Sequence, residues 1–314
     1  MKDLKIVFMG TPDFAVSILD RLLKEQYTVV GVITAPDRPA GRGRKLNESA
    51  VKKYAVQNKL NLLQPTNLKD SSFLESLKAL EADLQIIVAF RMLPEVVWNM
   101  PRLGTFNLHA SLLPDYRGAA PINWAIINGE VKTGVSTFFL DEKIDTGAII
   151  LQSETDIATD ETVGHLHDKL MHLGSDLVIE TLKLIEKDQV VSISQPAKTL
   201  KAAYKIHTET CKINWNDSLN NIYNLIRGLN PYPAAWTLFT NDKKESKLKI
   251  YDVQKEITAH SDPIGKIITD KKTLKIATAQ GYLHILSLQL SGKKKMDTFS
   301  LLNGFSVKND AKVF

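Results

Sequence analysis

Within residues 4–34 two apolar runs flank an amphipathic stretch, and that order constrains the fold more than any other feature of this 314-residue chain. Leu4–Gly10 reads as a buried strand that ends in a glycine turn. Pro12 suits the first turn of a helix, and Phe14, Val16, Ile18, Leu19, Leu22 and Leu23 include the i, i+4 repeats of a buried helical face. Thr28–Thr34 is a second apolar strand. Strand, helix, strand over about 30 residues is a βαβ unit, right-handed by a strong rule. Further strands are predicted at Leu84–Phe90, Gly104–Leu108 and Thr133–Leu140. Residues 1–189 are therefore expected to form a doubly wound, Rossmann-like α/β domain. Its first turn, Gly10-Thr11-Pro12-Asp13, has one glycine where a dinucleotide site carries three. Pro12 also removes an N–H from the helix start, which argues against NAD or FAD there.

A helical pattern opens at Asp160-Glu161 and runs to about Lys187, and residues 190–208, broken around Pro196, read as a linker. The texture then changes. After a short helix, Leu219–Leu229, strand-like runs follow at 235–240, 248–253, 265–269, 274–278 and 284–290. Short strands at this spacing suggest a small β-barrel over 209–314, with an OB-like barrel one candidate. Residues 196–314 hold 19 Lys or Arg against 10 Asp or Glu, whereas residues 1–195 hold 21 against 25. A basic C-terminal region fits a large anionic partner, and charge alone fits a lysine-rich solvated face equally well. Cys211 is the single cysteine, which excludes an intrachain disulfide or thiolate cage. His165, His167 and His172 lack the spacing of a metal site, and no metal is expected. No apolar run is long enough for a membrane span, and the N-terminus lacks a signal-peptide core. A cytoplasmic, monomeric protein is expected.

Chemistry concentrates in Phe106-Asn107-Leu108-His109-Ala110-Ser111-Leu112-Leu113-Pro114, followed by Asp145-Thr146-Gly147. Asn107 and His109 are two residues apart, so on a strand both side chains point to one side. Open α/β sheets bind ligands beyond such strand ends. A carboxamide N–H can stabilise an oxyanion, an imidazole can carry a proton, and a carboxylate can orient the imidazole. Those groups suit transfer of a small acyl unit through a tetrahedral intermediate. Histidine alone is more often structural, and Asp141 competes with Asp145 on spacing. The run from Asp37 to Leu46 holds Arg38, Arg42, Arg44 and Lys45 with two glycines and a proline, and its arginines can fork onto phosphates or base edges. Lys293, Lys294 and Lys295 form a cationic turn that can hold RNA backbone or be solvated.

The Asn-x-His-x-Ser-Leu-Leu-Pro run, Tyr116-Arg117-Gly118-Ala119-Ala120-Pro121-Ile122 and the Asp-Thr-Gly resemble the 10-formyltetrahydrofolate-dependent formyltransferases. The basic loop and the C-terminal region resemble their tRNA-acting branch. The resemblance implies Asn107, His109 and Asp145 as the catalytic trio and an OB-fold C-terminal domain. It implies a tetrahydrofolate site using Ser111, Leu112, Leu113 and Pro114, with a cis bond before Pro114. The stretch from Ala89 to Pro94 belongs to the same pocket, where Phe90, Arg91 and Met92 replace the family's usual Tyr-Gly-Leu. It implies that Arg42 reads an acceptor stem and that the Gly-Lys-Lys turn favours RNA. The implied reaction moves a formyl group from 10-formyltetrahydrofolate to the α-amine of initiator methionyl-tRNA. A sugar-nucleotide N-formyltransferase, a formyltetrahydrofolate hydrolase and an RNA-binding protein with an inert formyltransferase-like domain are the alternatives.

Overall fold

The computed structural model describes residues 4–40, 45–198, 201–270 and 272–314. They divide into two compact units: residues 1–118, 133–155 and 167–202, and residues 119–132, 156–166 and 203–314. The elements in chain order are β1 (Lys5–Gly10), α1 (Asp13–Lys24), β2 (Thr28–Ile33), β3 (Arg38–Ala40), β4 (Lys45–Asn47), α2 (Ala50–Gln57), β5 (Leu62–Leu63), α3 (Ser71–Lys78), β6 (Leu84–Val88), α4 (Glu95–Trp98) and β7 (Thr105–His109). There follow β8 (Arg117–Gly118), α5 (Pro121–Ile127), β9 (Lys132–Phe139), β10 (Ile149–Asp156), α6 (Val163–Glu186), β11 (Ala202–Ala203) and α7 (Leu219–Leu229). The remainder is β12 (Ala235–Asn241), β13 (Lys244–Ile257), β14 (Ile267–Thr269), β15 (Leu274–Thr278), β16 (Gly281–Leu290), β17 (Met296–Asp297), α8 (Thr298–Leu302) and β18 (Lys312–Val313).

The first unit is built on a seven-stranded sheet in the order β10-β9-β7-β6-β1-β2-β5. Strands β5, β2, β1, β6 and β7 pair in parallel, which fits the largely apolar β1, β2 and β6. β9 pairs antiparallel with β7, a reversal that apolar content alone does not reveal. Val7, Met9, Ile33 and Ile87 pack with Phe73, Leu77 and Val97 of α3 and α4 on one face. The first glycine is there for packing. A Cβ on Gly10 would lie 2.5 Å from Ala15 Cβ, so only glycine lets α1 leave the strand this closely. Pro12 stands at the N-cap, one residue before the helix it was expected to open.

The second unit holds a curved antiparallel sheet in the order β14-β15-β16-β13-β12-β18, with β17 beside β16. A Lys266–Lys312 bridge and a Val313 N–H to Gly265 carbonyl bond of 2.9 Å join its two edges, so the barrel is nearly closed. Trp215, Leu219, Ile222 and Ile226 pack onto Ile250, Ile276 and Leu283 to form its core. Trp215 donates its indole N–H to Thr237 Oγ1 at 2.9 Å, so the buried ring leaves no donor unmet. α5 packs on α7, with Asn123 Nδ2 donating to the Gly228 carbonyl at 2.8 Å.

Candidate active site

β7 delivers two side chains to one side of the sheet. Asn107 lies beside Ile87 and Phe138, and His109 lies opposite Ser136 of β9. Leu108 between them points the other way, where a Cβ on Gly174 of α6 would sit 2.7 Å from its Cδ2. The strand period therefore aims Asn107 and His109 together.

The imidazole is buried, hydrogen-bonded at one nitrogen and faced by a carboxylate at the other. His109 Nε2 lies 2.8 Å from the Tyr116 carbonyl. A carbonyl only accepts, so Nε2 carries hydrogen and Nδ1 is the ring nitrogen left for chemistry. Nδ1 is 3.8 Å from Asp145 Oδ2, too far for a direct hydrogen bond and close enough for charge attraction. The same Oδ2 accepts the Gly118 N–H at 2.9 Å. Asp141, the competing acid, accepts from Thr146 Oγ1 at 2.7 Å and from the Lys143 amide at 3.0 Å, so its carboxylate is engaged within its own loop. Asn107 Oδ1 is buried without a hydrogen-bond partner, an unmet polar atom at the end of a central strand.

The 110–116 loop is fixed by an oxygen that sequence reasoning missed. Ser136 Oγ donates to the Ser111 carbonyl at 2.6 Å and accepts the Leu113 N–H at 3.1 Å. It also accepts from Gln152 Nε2 at 2.8 Å, and that nitrogen reaches the Leu113 carbonyl at 2.9 Å. Ser111 Oγ donates to the Asp115 carbonyl at 2.6 Å, and the Leu113–Pro114 peptide is cis. Leu113 packs with Phe138 and Ile149. Nothing in the local pattern marks Ser136; its role follows from strand pairing.

Phe90, Arg91 and Met92 leave β6 beside the end of β7, so this stretch borders the same strand ends. Arg91 donates to the carbonyls of Pro65 and Thr66 and lies 5.5 Å over the Phe90 ring. Burial, with the Arg38 charge second, holds its guanidinium below the usual value. Met92 is 65% exposed. Of the expected cationic loop, Arg38 is exposed on β3, which pairs antiparallel with β4. Arg42 and Arg44 lie outside the described residues, as does the side chain of Lys45. The loop's base is anchored by Asp37, which takes hydrogen bonds from Lys52 and from Gln64 Nε2 at 3.0 Å. Lys293 and Lys294 are exposed in the second unit, while Lys295 Nζ lies 3.2 Å from Asp252 and 4.6 Å over the Tyr251 ring. Among the described residues no cluster of three His, Cys, Asp or Glu could hold a metal, and no helix is long and apolar enough to cross a membrane.

A carboxamide, an imidazole and a carboxylate around one strand end are groups whose chemistry suits acyl transfer. Residues 4–182 match the formyl transferase family and residues 205–306 match the formyl transferase C-terminal domain, and the chain belongs to this family. Its relatives narrow the class. A methionyl-tRNA formyltransferase of Flavobacterium johnsoniae is 60% identical over 100% of both chains. Another, of Bacteroides thetaiotaomicron, is 54% identical over 99% of each. Among solved structures, an N-formyltransferase from Helicobacter canadensis with folinic acid and dTDP-3-aminofucose is 22% identical. It superposes with a TM-score of 0.67 over 93% of this chain and 100% of its own. HypX from Aquifex aeolicus with tetrahydrofolic acid is 17% identical, with a TM-score of 0.65 over 98% of this chain and 48% of its own. These two show a shared fold.

Proposed function

We propose that this protein transfers the formyl group of 10-formyltetrahydrofolate to the α-amine of initiator methionyl-tRNA. The observation that carries the reading is the convergence of Asn107, His109 and Asp145 in a chain that matches methionyl-tRNA formyltransferases along its whole length. The amine attacks the formyl carbon, a C–N bond forms, and the carbonyl electrons move to oxygen. Asn107 N–H and the Nδ1–H of a doubly protonated His109 hold that oxyanion. Nε2–H stays on the Tyr116 carbonyl throughout, so the ring need not turn. Asp145 takes the amine proton, directly or through water, and passes it to N10 as the oxyanion re-forms the carbonyl and the bond from carbon to N10 breaks. Tetrahydrofolate and formyl-methionyl-tRNA leave. The 110–114 loop, held by Ser136, and the 89–92 turn form the walls of the folate site. In this reading Leu112, Pro114, Phe90 and Met92 meet the pterin, Ser111 and Leu113 hold the loop in shape from within, and Arg91 supports the wall. Arg38, Arg42, Arg44 and Lys45 meet the acceptor stem, and Lys293, Lys294 and Lys295 meet RNA backbone.

The test is a formyl-transfer assay with 10-formyltetrahydrofolate and initiator methionyl-tRNA. Losing an oxyanion donor costs about 3–4 kcal/mol of transition-state stabilisation. Asn107→Ala and His109→Ala are therefore each expected to lower kcat about 100-fold or more. Use of tRNA should weaken steeply with added salt. Near-wild-type rates in both variants, or formyl transfer to a sugar nucleotide or water in place of tRNA, would overturn the reading.

A further inference from the structure

Asp145 stands on an irregular loop between β9 and β10, with φ at +54°. Asp is among the side chains that tolerate this region, and here bonds from outside the loop also hold its main chain there. The holder comes from the segment after α6. Gln195 Nε2 donates to the Asp145 carbonyl at 3.0 Å and to the Gly147 carbonyl at 2.7 Å. Its Oε1 accepts from Arg117 Nε at 3.1 Å and Nη2 at 2.7 Å. Both amide hydrogens and both oxygen lone pairs are used. The orientation is unambiguous, because a flipped amide would set its oxygen against two carbonyls and its hydrogens against a guanidinium.

The bonds form a closed ring. Arg117 adjoins Gly118, whose N–H binds the Asp145 carboxylate, and Gln195 ties the Asp145 main chain back to Arg117. The segment carrying Gln195 is itself fixed. Ile193 and Ile149 exchange two main-chain bonds of 2.8 Å, and Arg117 Nη2 donates to the Pro196 carbonyl at 2.9 Å. We infer that Gln195, backed by Arg117, is a positioning residue that sets the Asp145 carboxylate at its working distance from His109. The inference rests on the catalytic reading of Asp145 above.

The test is a double-mutant cycle in the formyl-transfer assay. Misplacing a reacting group by about 1 Å can cost 100-fold. Gln195→Ala is expected to lower kcat about 10- to 100-fold with KM for both substrates changed less than about threefold. Gln195→Glu keeps the acceptor for Arg117 and removes both donors to the loop. It sets an oxygen against both carbonyls and should lose at least as much kcat as Gln195→Ala. In an Asp145→Ala background, Gln195→Ala should cost less than about threefold, since the group it positions is already gone. An equal loss in both backgrounds, or wild-type kcat in Gln195→Glu, would overturn the inference. If Asp145→Ala alone kept near-wild-type kcat, the catalytic reading would fall, and the inference with it.

Discussion

Ser136→Ala removes one oxygen that answers three groups. Ser136 and Ser111 are fully buried and Leu113 is 3% exposed, so neither the Ser111 carbonyl nor the Leu113 N–H gains water when the hydroxyl goes. The space left is the size of one oxygen, too small for a replacing water. Each buried polar group left unmet costs about 1–3 kcal/mol. Two such groups, with partial relaxation, come to about 2–4 kcal/mol. Gln152 also loses a partner, but it is exposed and keeps the Leu113 carbonyl, so it adds little. Hydrogen exchange read by mass spectrometry over 109–116 measures this locally. At about 1.4 kcal/mol per tenfold, exchange there should speed up roughly 30- to 1,000-fold. Gln152→Ala should change it far less. Because the loop borders His109, kcat should fall as well. If Ser136→Ala exchanged no faster than Gln152→Ala, the loop would be held by something other than this hydroxyl, and the reasoning would fail.

Two further outcomes are expected. Asp83 accepts the Lys5 N–H at 2.9 Å and Arg102 Nε at 2.7 Å, and these bonds, the Lys5 amide first, hold its carboxyl below the usual value. A depressed folded pKa stabilises the fold above the unfolded value of about 3.9, and that contribution is lost as pH falls through the folded value. The gap in urea midpoint between wild type and Asp83→Asn should thus be constant above about pH 5 and shrink below about pH 4; a pH-independent gap would refute this. Gly147→Ala would put a Cβ 1.7 Å from the Phe139 carbonyl oxygen, so it should displace the Asp145 loop and cut kcat more than about tenfold, whereas Gly304→Ala, with nothing within 4 Å, should match wild type.

The parts of the fold legible in the sequence are those whose burial is one-sided or complete. β1, β2 and β6 are largely apolar runs, β7 sets Phe106 and Leu108 between polar residues, and the expected helix at 160–187 is α6 at Val163–Glu186. β10 was missed because its second half is polar, exposed Gln152 and Glu154 alternating with half-buried Ser153 and Thr155, and carries no apolar alternation. β13 extends from Lys244 to Ile257, well past the expected 248–253, because charged residues occupy its solvent-facing ends. Asn107 and His109 were legible because a period of two on one strand places them together. Ser136, Gln152 and Gln195 were not. They bond largely to main-chain atoms brought near by strand pairing and by the docking of Ile193 on Ile149, and neither spacing nor composition encodes such contacts.

This asymmetry has a physical origin in how the two halves of the site are supported. A central strand is braced on both sides, so Asn107 and His109 inherit the rigidity of the sheet. On the proposed mechanism Asp145 faces Nδ1 across a 3.8 Å gap that leaves space for an incoming amine, and it does so from the loop after β9. A loop supplies the geometry but not the stiffness. The stiffness comes from bonds to main chain: Gly118 N–H to the carboxylate, and the Asp145 and Gly147 carbonyls to Gln195. The Gly118 contact survives any side-chain replacement that leaves the turn intact, so mutational scanning would register it only through Arg117, its neighbour in the ring. The carboxylate's precision is then set as much by residues 117 and 195 as by the Asp-Thr-Gly that carries it.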